Sequence, residues 1–421
     1  MLTDNLIYDW NLVNPISLAP DQPVYLNDET LRDGLQSPSV SDPPIEKKIE
    51  LLRLMEELGI HGLCIGLPGA GGSHAAGIER LAREIADHRM KIIPNCLART
   101  DLRDIRPIID LSQRTGIPIE ATLFTGSSPI RFYVEDWTLD QLLKQTEEAV
   151  TFAVKEGLPV LFGTEDTMRS NPETIRALFT TAIRCGATAL GIADTVGHAT
   201  PNGARALARF TRELADEHRP GIRIDWHGHQ DRGLGVINSI AAVEGGANRL
   251  HGTALGIGER IGNAPMDQLL VNLKLLGWID HDLSLLGQYC ATAAAACNLT
   301  IPFNYPVFGR DAFRTATGIH AAALVKSYKK GDTALADIIY SGVPAGLFGQ
   351  RQLIEVGPMS GKSNVIYWLE THGIEVTEEL VSRIYEHAKK SPSVLAEDEM
   401  LGLLQGWRGN LNQLECDGAR A

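Results

Sequence analysis

Cysteine pairs, a basic excess and long apolar runs are all missing from this sequence, and each absence excludes a class of function. The six cysteines, Cys64, Cys96, Cys185, Cys290, Cys297 and Cys416, are scattered and form no CxxC pair, which argues against a disulfide framework and a thiolate zinc site. A reducing cytoplasm fits that usage. Lys+Arg 39 against Asp+Glu 52 gives a formal charge of −13, so neither nucleic acid nor an anionic membrane is an expected partner. No apolar run reaches the ~18 residues of a membrane span. The opening MLTDNLIYDWNLVNP carries acidic residues where a signal peptide needs basic ones. The chain is expected to be soluble and cytoplasmic. An anionic substrate stays open, because a few arginines in a pocket override the net field locally.

What is present is a rhythm. From residue 24 to about 275, short β-branched or apolar runs alternate with segments of helical periodicity. The strand candidates are VYLNDE, GLCIGL, KIIPNCLA, PIEATLF, LPVLFG, ATALGIAD, IRIDWHGH and NRLHGTALG. Helical patterns such as PIEKKIELLRLMEELG, TLDQLLKQTEEAVTFAVKEG and NGARALARFTRELADEH lie between them. The first has Pro near its start and Gly just past its end, the usual asymmetry of helix boundaries. Eight strands alternating with helices over about 250 residues is the size of a (β/α)8 TIM barrel, whereas an open doubly wound sheet closes with fewer repeats. The expected organisation is an α/β fold: an N-terminal extension over 1–20, a catalytic (β/α)8 barrel over 21–285 and a mainly helical C-terminal region over 286–421.

A barrel of this kind carries its active site at the C-terminal ends of its strands, and polar residues gather there. The first strand leads to Arg32 and Asp33, the fourth to Arg131, and the fifth to Glu165 and Asp166, followed by Arg169. The sixth ends in Asp194 and Thr195, the seventh in His227 and His229, and the eighth runs into GIGERIGN with Glu259 and Asn263. Side chains at i and i+2 on a strand share a face, their Cα atoms roughly 6.5–7 Å apart, so His227 and His229 can converge on one ion. Asp33, on the neighbouring strand of a closed barrel, is the natural carboxylate to join them. Such a donor set suits Mg, Mn, Zn or Co. Two glycine-bearing stretches carry less: SGKSNV lacks the first glycine of a P-loop, and GLPGAGGSH (66–74) lacks GxGxxG spacing and reads as a flexible loop at the barrel mouth.

NDETLRDGLQ (27–36), TEDTMRS (164–170), ADTVG (193–197), HGHQDRGLGVINSIAAVEGGA (227–247) and GTALGIGERIGNAP (252–265) together resemble one superfamily. It is the metal-dependent Claisen-condensing and lyase group of TIM barrels that includes isopropylmalate, homocitrate and citramalate synthases and hydroxymethylglutaryl-CoA lyase. TGIH (317–320) and Tyr340 extend the likeness beyond the barrel. The resemblance implies that Asp33, His227 and His229 ligate a divalent metal, with Asn263 as a further or water-mediated ligand. It implies that Arg32 stabilises the enolate or polarised carbonyl oxygen and that Thr195 holds the substrate carboxylate, with Gln36, Arg131 and Arg169 among the substrate-binding groups. Glu165, His320 and Tyr340 would move protons, the last two from a neighbouring subunit, which implies at least a homodimer. The co-substrate would be acetyl-CoA and the partner a small 2-oxo acid, giving a 2-substituted malate.

Departures from that pattern sharpen the expectation. Leu35 gives RDGLQ where the synthases carry RDGEQ, a lyase-like feature, yet the GTALGIGERIGN loop lacks the lyase cysteine, so condensation is favoured. After SSPI stands Arg131, where isopropylmalate synthases have histidine and the homocitrate group arginine; a guanidinium there suits a second anionic group. Gln230 and Arg232 replace the common asparagine and apolar residue. The expected substrate is a 2-oxo acid with an extra anion, such as 2-oxoglutarate, oxaloacetate or a phosphonopyruvate-like acid. The chain stops before a leucine-sensing module, so feedback through one is not expected. A carbon–carbon lyase or aldolase of the same superfamily and a barrel with a relic site are the competing readings.

Overall fold

The computed structural model describes residues 6–13, 18, 23–70 and 72–405; most of segment 1–20, and Cys416, lie outside the described residues. Two compact units are present, Asp9–Thr300 and Met1–Tyr8 with Ile301–Ala421.

In the larger unit the apolar runs form strands β1 (Tyr25–Asp28), β2 (Gly62–Gly66), β3 (Ile93–Arg99), β4 (Glu120–Gly126), β5 (Val160–Glu165), β6 (Ala189–Asp194), β7 (Arg223–Gly228) and β8 (Arg249–Gly252). They are parallel and close in sequence order, β8 returning to β1 with Tyr25 opposite Arg249 and Asp28 opposite Gly252. This is the TIM barrel. Helices follow the strands and cover them, because each has one apolar face: Ile45–Glu57 buries Ile49, Leu51, Leu52, Leu54 and Met55. Pro44 caps that helix and Gly59, at φ +74, turns the chain out of it. Thr138 and Gln141 form a reciprocal capping box at the start of Leu139–Lys155.

Two local expectations change. The eighth strand, read as running to residue 256, stops at Gly252. Thr253 then donates its N–H to Ala264 O, and Ala254–Gly256 forms a 3-10 turn with Leu255 at φ +55. The loop folds back so tightly that a Cβ at Gly262 would lie 1.8 Å from Gly256 O, so glycine is required there. The stretch 66–74, read as a flexible loop, holds a 3-10 turn at Pro68–Ala70 and the first residues of the helix Gly72–Asp87. Gly66 ends β2, Gly69 lies in the turn and Gly72 starts the helix.

The smaller unit is mainly helical, with Gly318–Lys329, Thr333–Ile338, Lys362–Thr371 and Glu378–Lys390 and a two-stranded parallel sheet of β9 (Arg314–Thr315) and β10 (Leu353–Ile354). Val365, Leu369, Leu380 and Ile384 centre its core. Among the described residues no helix is long and apolar enough to cross a membrane.

Candidate active site

The turn after β1 builds the first wall of the site. Thr30 donates its N–H to Asp28 Oδ1 at 2.7 Å, and the N–H groups of Arg32 and Gly34 return to Glu29 O at 3.1 and 3.0 Å. This brings Asp33 up against the end of β7. There the Nε2 atoms of His227 and His229 lie 3.3 and 3.6 Å from the same oxygen, Asp33 Oδ2. Donors bound about 2.0–2.2 Å from one tetrahedral ion stand roughly 3.3–3.6 Å apart, so the spacing fits a single metal. His229 Nδ1 is buried without a partner. Asn263 pairs across from His229 and donates its side-chain N–H to Ile257 O at 3.3 Å, which leaves its amide oxygen for an ion or a bound water.

The charges around these groups favour ligation. Burial pushes the Asp33 carboxyl up, but the Arg32 guanidinium and the two histidines outweigh it and hold it well below the usual carboxylate range. Burial lowers the His227 imidazole against the pull of Asp33, which favours the neutral ring that binds metals. Glu29, His227 and His251 form a second close group. Its oxygens are already taken: Glu29 Oε1 accepts from Asn27 and faces His251, while Oε2 accepts two N–H bonds from Arg32. A cation placed there would displace Arg32, so the Asp33 group is the better metal site.

These residues border a cavity of about 380 Å³ at the C-terminal mouth of the barrel. Arg32, Asp33, Gln36, Glu165, Thr195, His227 and His229 line it together with Glu259 and Arg260. Thr195 Oγ1 accepts the Asp166 N–H at 2.9 Å, and Arg260 holds Thr195 O at 2.7 Å, fixing the rim. Burial raises the Glu165 carboxyl above its ordinary value, with Arg131 opposing the rise.

Other expected residues stand outside that lining. Arg131 borders an adjoining cavity of about 640 Å³ that shares Phe124 and Glu165 with the first. It pairs with Glu135 at 2.9 Å and covers Trp137 at 5.3 Å. Arg169 spends its guanidinium on Asp166, Nε to Oδ1 at 2.7 Å and Nη2 to Oδ2 at 2.8 Å. His320 and Tyr340 belong to the smaller unit, where their rings stack with centroids 4.1 Å apart beside a cavity of about 190 Å³. Sequence reasoning missed Glu29, Thr122, Asp225 and His251, all of which line the main cavity. In the sequence they stand only as charged or polar interruptions of the runs VYLNDE, PIEATLF, IRIDWHGH and NRLHG, which does not tell that they meet.

The HMGL-like family profile matches residues 23–293. A homocitrate synthase of Methanopyrus kandleri is 32% identical over 372 residues, covering 88% of each chain. A probable 2-isopropylmalate synthase of the same organism is 31% identical over 373 residues, 88% of this chain and 70% of that one. Among solved structures, a hydroxymethylglutaryl-CoA lyase from Pseudomonas aeruginosa superposes with a TM-score of 0.54 at 18% identity, over 65% of this chain and 93% of the lyase. That likeness concerns the fold.

Proposed function

The chain belongs to the HMGL-like family, and from that premise we propose that it is a 2-alkylmalate-type synthase, condensing acetyl-CoA with a 2-oxo acid. Acetyl-CoA, the 2-oxo acid and water give a 2-substituted malate and free CoA. The observation that carries this reading is the convergence of Asp33, His227 and His229 on one point of a cavity that Arg32 also lines. Its similarity to named homocitrate and isopropylmalate synthases supports the same class.

Asp33, His227, His229 and Asn263 would hold a divalent ion, which would supply Lewis acidity toward the keto oxygen of the 2-oxo acid. Arg32, cationic and lining the same cavity, stabilises negative charge as it develops on oxygen. Thr195 at the rim receives the substrate carboxylate. Glu165, with its raised carboxyl, exchanges the methyl proton of acetyl-CoA. His320 and Tyr340 are assigned to proton transfer across a homodimer.

The 2-oxo acid carries a second anionic group, and Arg131 receives it in the adjoining cavity, where Trp137 supports the guanidinium plane. Thiol release from acetyl-CoA across mono- and di-anionic 2-oxo acids tests this. Turnover with a di-anionic acid, weakened about 10- to 150-fold by Arg131→Ala through loss of charged hydrogen bonds, is the expected result. Turnover only with 2-oxoisovalerate would keep the class and remove the role of Arg131. Silence across the panel, with cleavage of a hydroxyacyl-CoA, would assign a lyase.

A further inference from the structure

From the lining of the pocket into the barrel interior runs a chain of ion pairs of which the roles above use only Arg32. Arg223 and Arg249 bridge Glu120 and Asp225, with nitrogen–oxygen distances of 2.5–2.8 Å. Asp225 Oδ2 also faces His251 Nε2 at 2.9 Å, and the other ring nitrogen, Nδ1, faces Glu29 Oε1 at 3.0 Å. Glu29 Oε1 accepts from Asn27 Nδ2 at 2.9 Å, while Oε2 accepts Nε of Arg32 at 2.9 Å and its Nη2 as well. None of Glu29, Glu120, Asp225, Arg249 and His251 is more than 5% exposed.

A neutral imidazole has one donor and one acceptor, so a ring with a carboxylate at each nitrogen satisfies both only as the imidazolium. Each carboxylate of the chain then faces a cation: Glu29 meets Arg32 and His251, Glu120 meets Arg223 and Arg249, and Asp225 meets Arg223, Arg249 and His251. Stability alone gives little reason for such a network, because well-packed apolar residues often replace buried ion pairs without loss. Geometry gives a better one. Glu29 grips the Nε and Nη2 edge of Arg32, which leaves Nη1 on the side of Asp33, 3.6 Å from Oδ2. The rotation of the Glu29 carboxylate is fixed in turn by Asn27 and His251.

We propose that His251 is a positioning residue, holding the Arg32 guanidinium toward the reacting oxygen through an Asp225–His251–Glu29–Arg32 chain. The catalytic half of this statement rests on the synthase reading; the geometric half does not. His251 itself makes no bond to substrate. It fixes the direction in which Arg32 presents its charge.

The test uses the full-length protein, with diamagnetic Mg2+ for the spectra and Mn2+ for turnover and unfolding. The Nε–H signal of Arg32 in 15N spectra, assigned by its loss in Arg32→Lys, reads the position of the guanidinium without any turnover. It is expected to be narrow in the unmodified protein and lost or exchange-broadened in His251→Gln. In the same variant kcat for thiol release is expected to fall about 10- to 100-fold, with KM for the 2-oxo acid and Mn2+-induced stabilisation within about threefold. His251→Ala opens a hole onto the cavity, so added imidazole is expected to restore part of its kcat and none of that of Arg32→Lys. An unchanged Arg32 signal in His251→Gln overturns the proposal, and so does unfolding of both His251 variants, which would assign the residue to stability. Absence of condensation by the unmodified protein overturns the synthase reading, and the Arg32 signal then decides the positioning by itself.

Discussion

Nε of Arg131 lies 3.1 Å from Oε1 of Glu165, at an angle that makes no hydrogen bond, so the two meet as charges across the wall between adjoining cavities. Burial raises the Glu165 carboxyl and Arg131 works against the rise. With Glu165 as the base, kcat/KM rises with pH as the carboxyl loses its proton. Arg131→Ala removes the opposing charge, and its acidic limb is therefore expected at higher pH than in the unmodified protein. A pH–rate profile of both checks this; coincident limbs would remove Glu165 as the base or uncouple it from Arg131.

The metal prediction follows from the shared oxygen. Because two imidazoles and Asp33 Oδ2 define one point, His229→Ala removes a donor that the others cannot replace. A divalent ion at about 100 times its dissociation constant stabilises a protein by about 2.7 kcal/mol. Unfolding with and without Mn2+ is expected to show that increment in the unmodified protein, and the variant is expected to lose most of it. Equal stabilisation of both would move the ion elsewhere.

The first strand is supported by a hydroxyl from a later helix. The Tyr289 hydroxyl, on the helix Leu286–Ala296, donates to Asp28 Oδ2 at 2.5 Å inside the barrel unit. Burial pushes the Asp28 carboxyl up to about 6, against hydrogen bonds from Thr30 and Tyr289 that lower it. A raised carboxyl means the native state binds the proton more tightly, so its contribution is full below the ordinary value and is lost as pH rises through about 6. Tyr289→Phe withdraws a donor from the charged form. The expected loss is about 1–3 kcal/mol at pH 8 and smaller at pH 5, read by denaturant unfolding at the two values. A larger loss at pH 5 would contradict the assignment.

Two glycines shape the lumen unequally. A Cβ at Gly191 would meet Leu161 Cδ2 at 3.0 Å and Gly163 Cα at 3.1 Å, whereas one at Gly163 would find its nearest atom, Gly191 O, at 3.5 Å. Both positions line the cavity. Gly191→Ala is expected to lose about 1–3 kcal/mol through overpacking. Gly163→Ala is expected to unfold as the unmodified protein does and to raise KM for the 2-oxo acid. Equal stability of the two variants would show that β5 and β6 have slack that the distances do not reveal.

The barrel was legible because its evidence is local: each strand and helix announces itself within a dozen residues through apolar periodicity and caps such as Thr138. His227 and His229 were legible for the same reason, being two apart on one strand. The network of Glu29, Glu120, Asp225 and His251 was not, since it exists only once β8 closes onto β1 and residues more than 100 positions apart meet, as Glu120 and Arg249 do. Arg169 was legible as a cation but its pairing was not. A cation in the right motif looks free until its bidentate partner Asp166 is seen.

The most direct test of the central claim is the mass of the product formed from acetyl-CoA labelled in both acetyl carbons, a di-anionic 2-oxo acid and Mn2+. The account predicts one new acid containing the whole 2-oxo acid plus both labelled carbons, released with an equal amount of free CoA. Unconsumed acetyl-CoA, with carbon–carbon cleavage of a hydroxyacyl-CoA by the same protein, would contradict it.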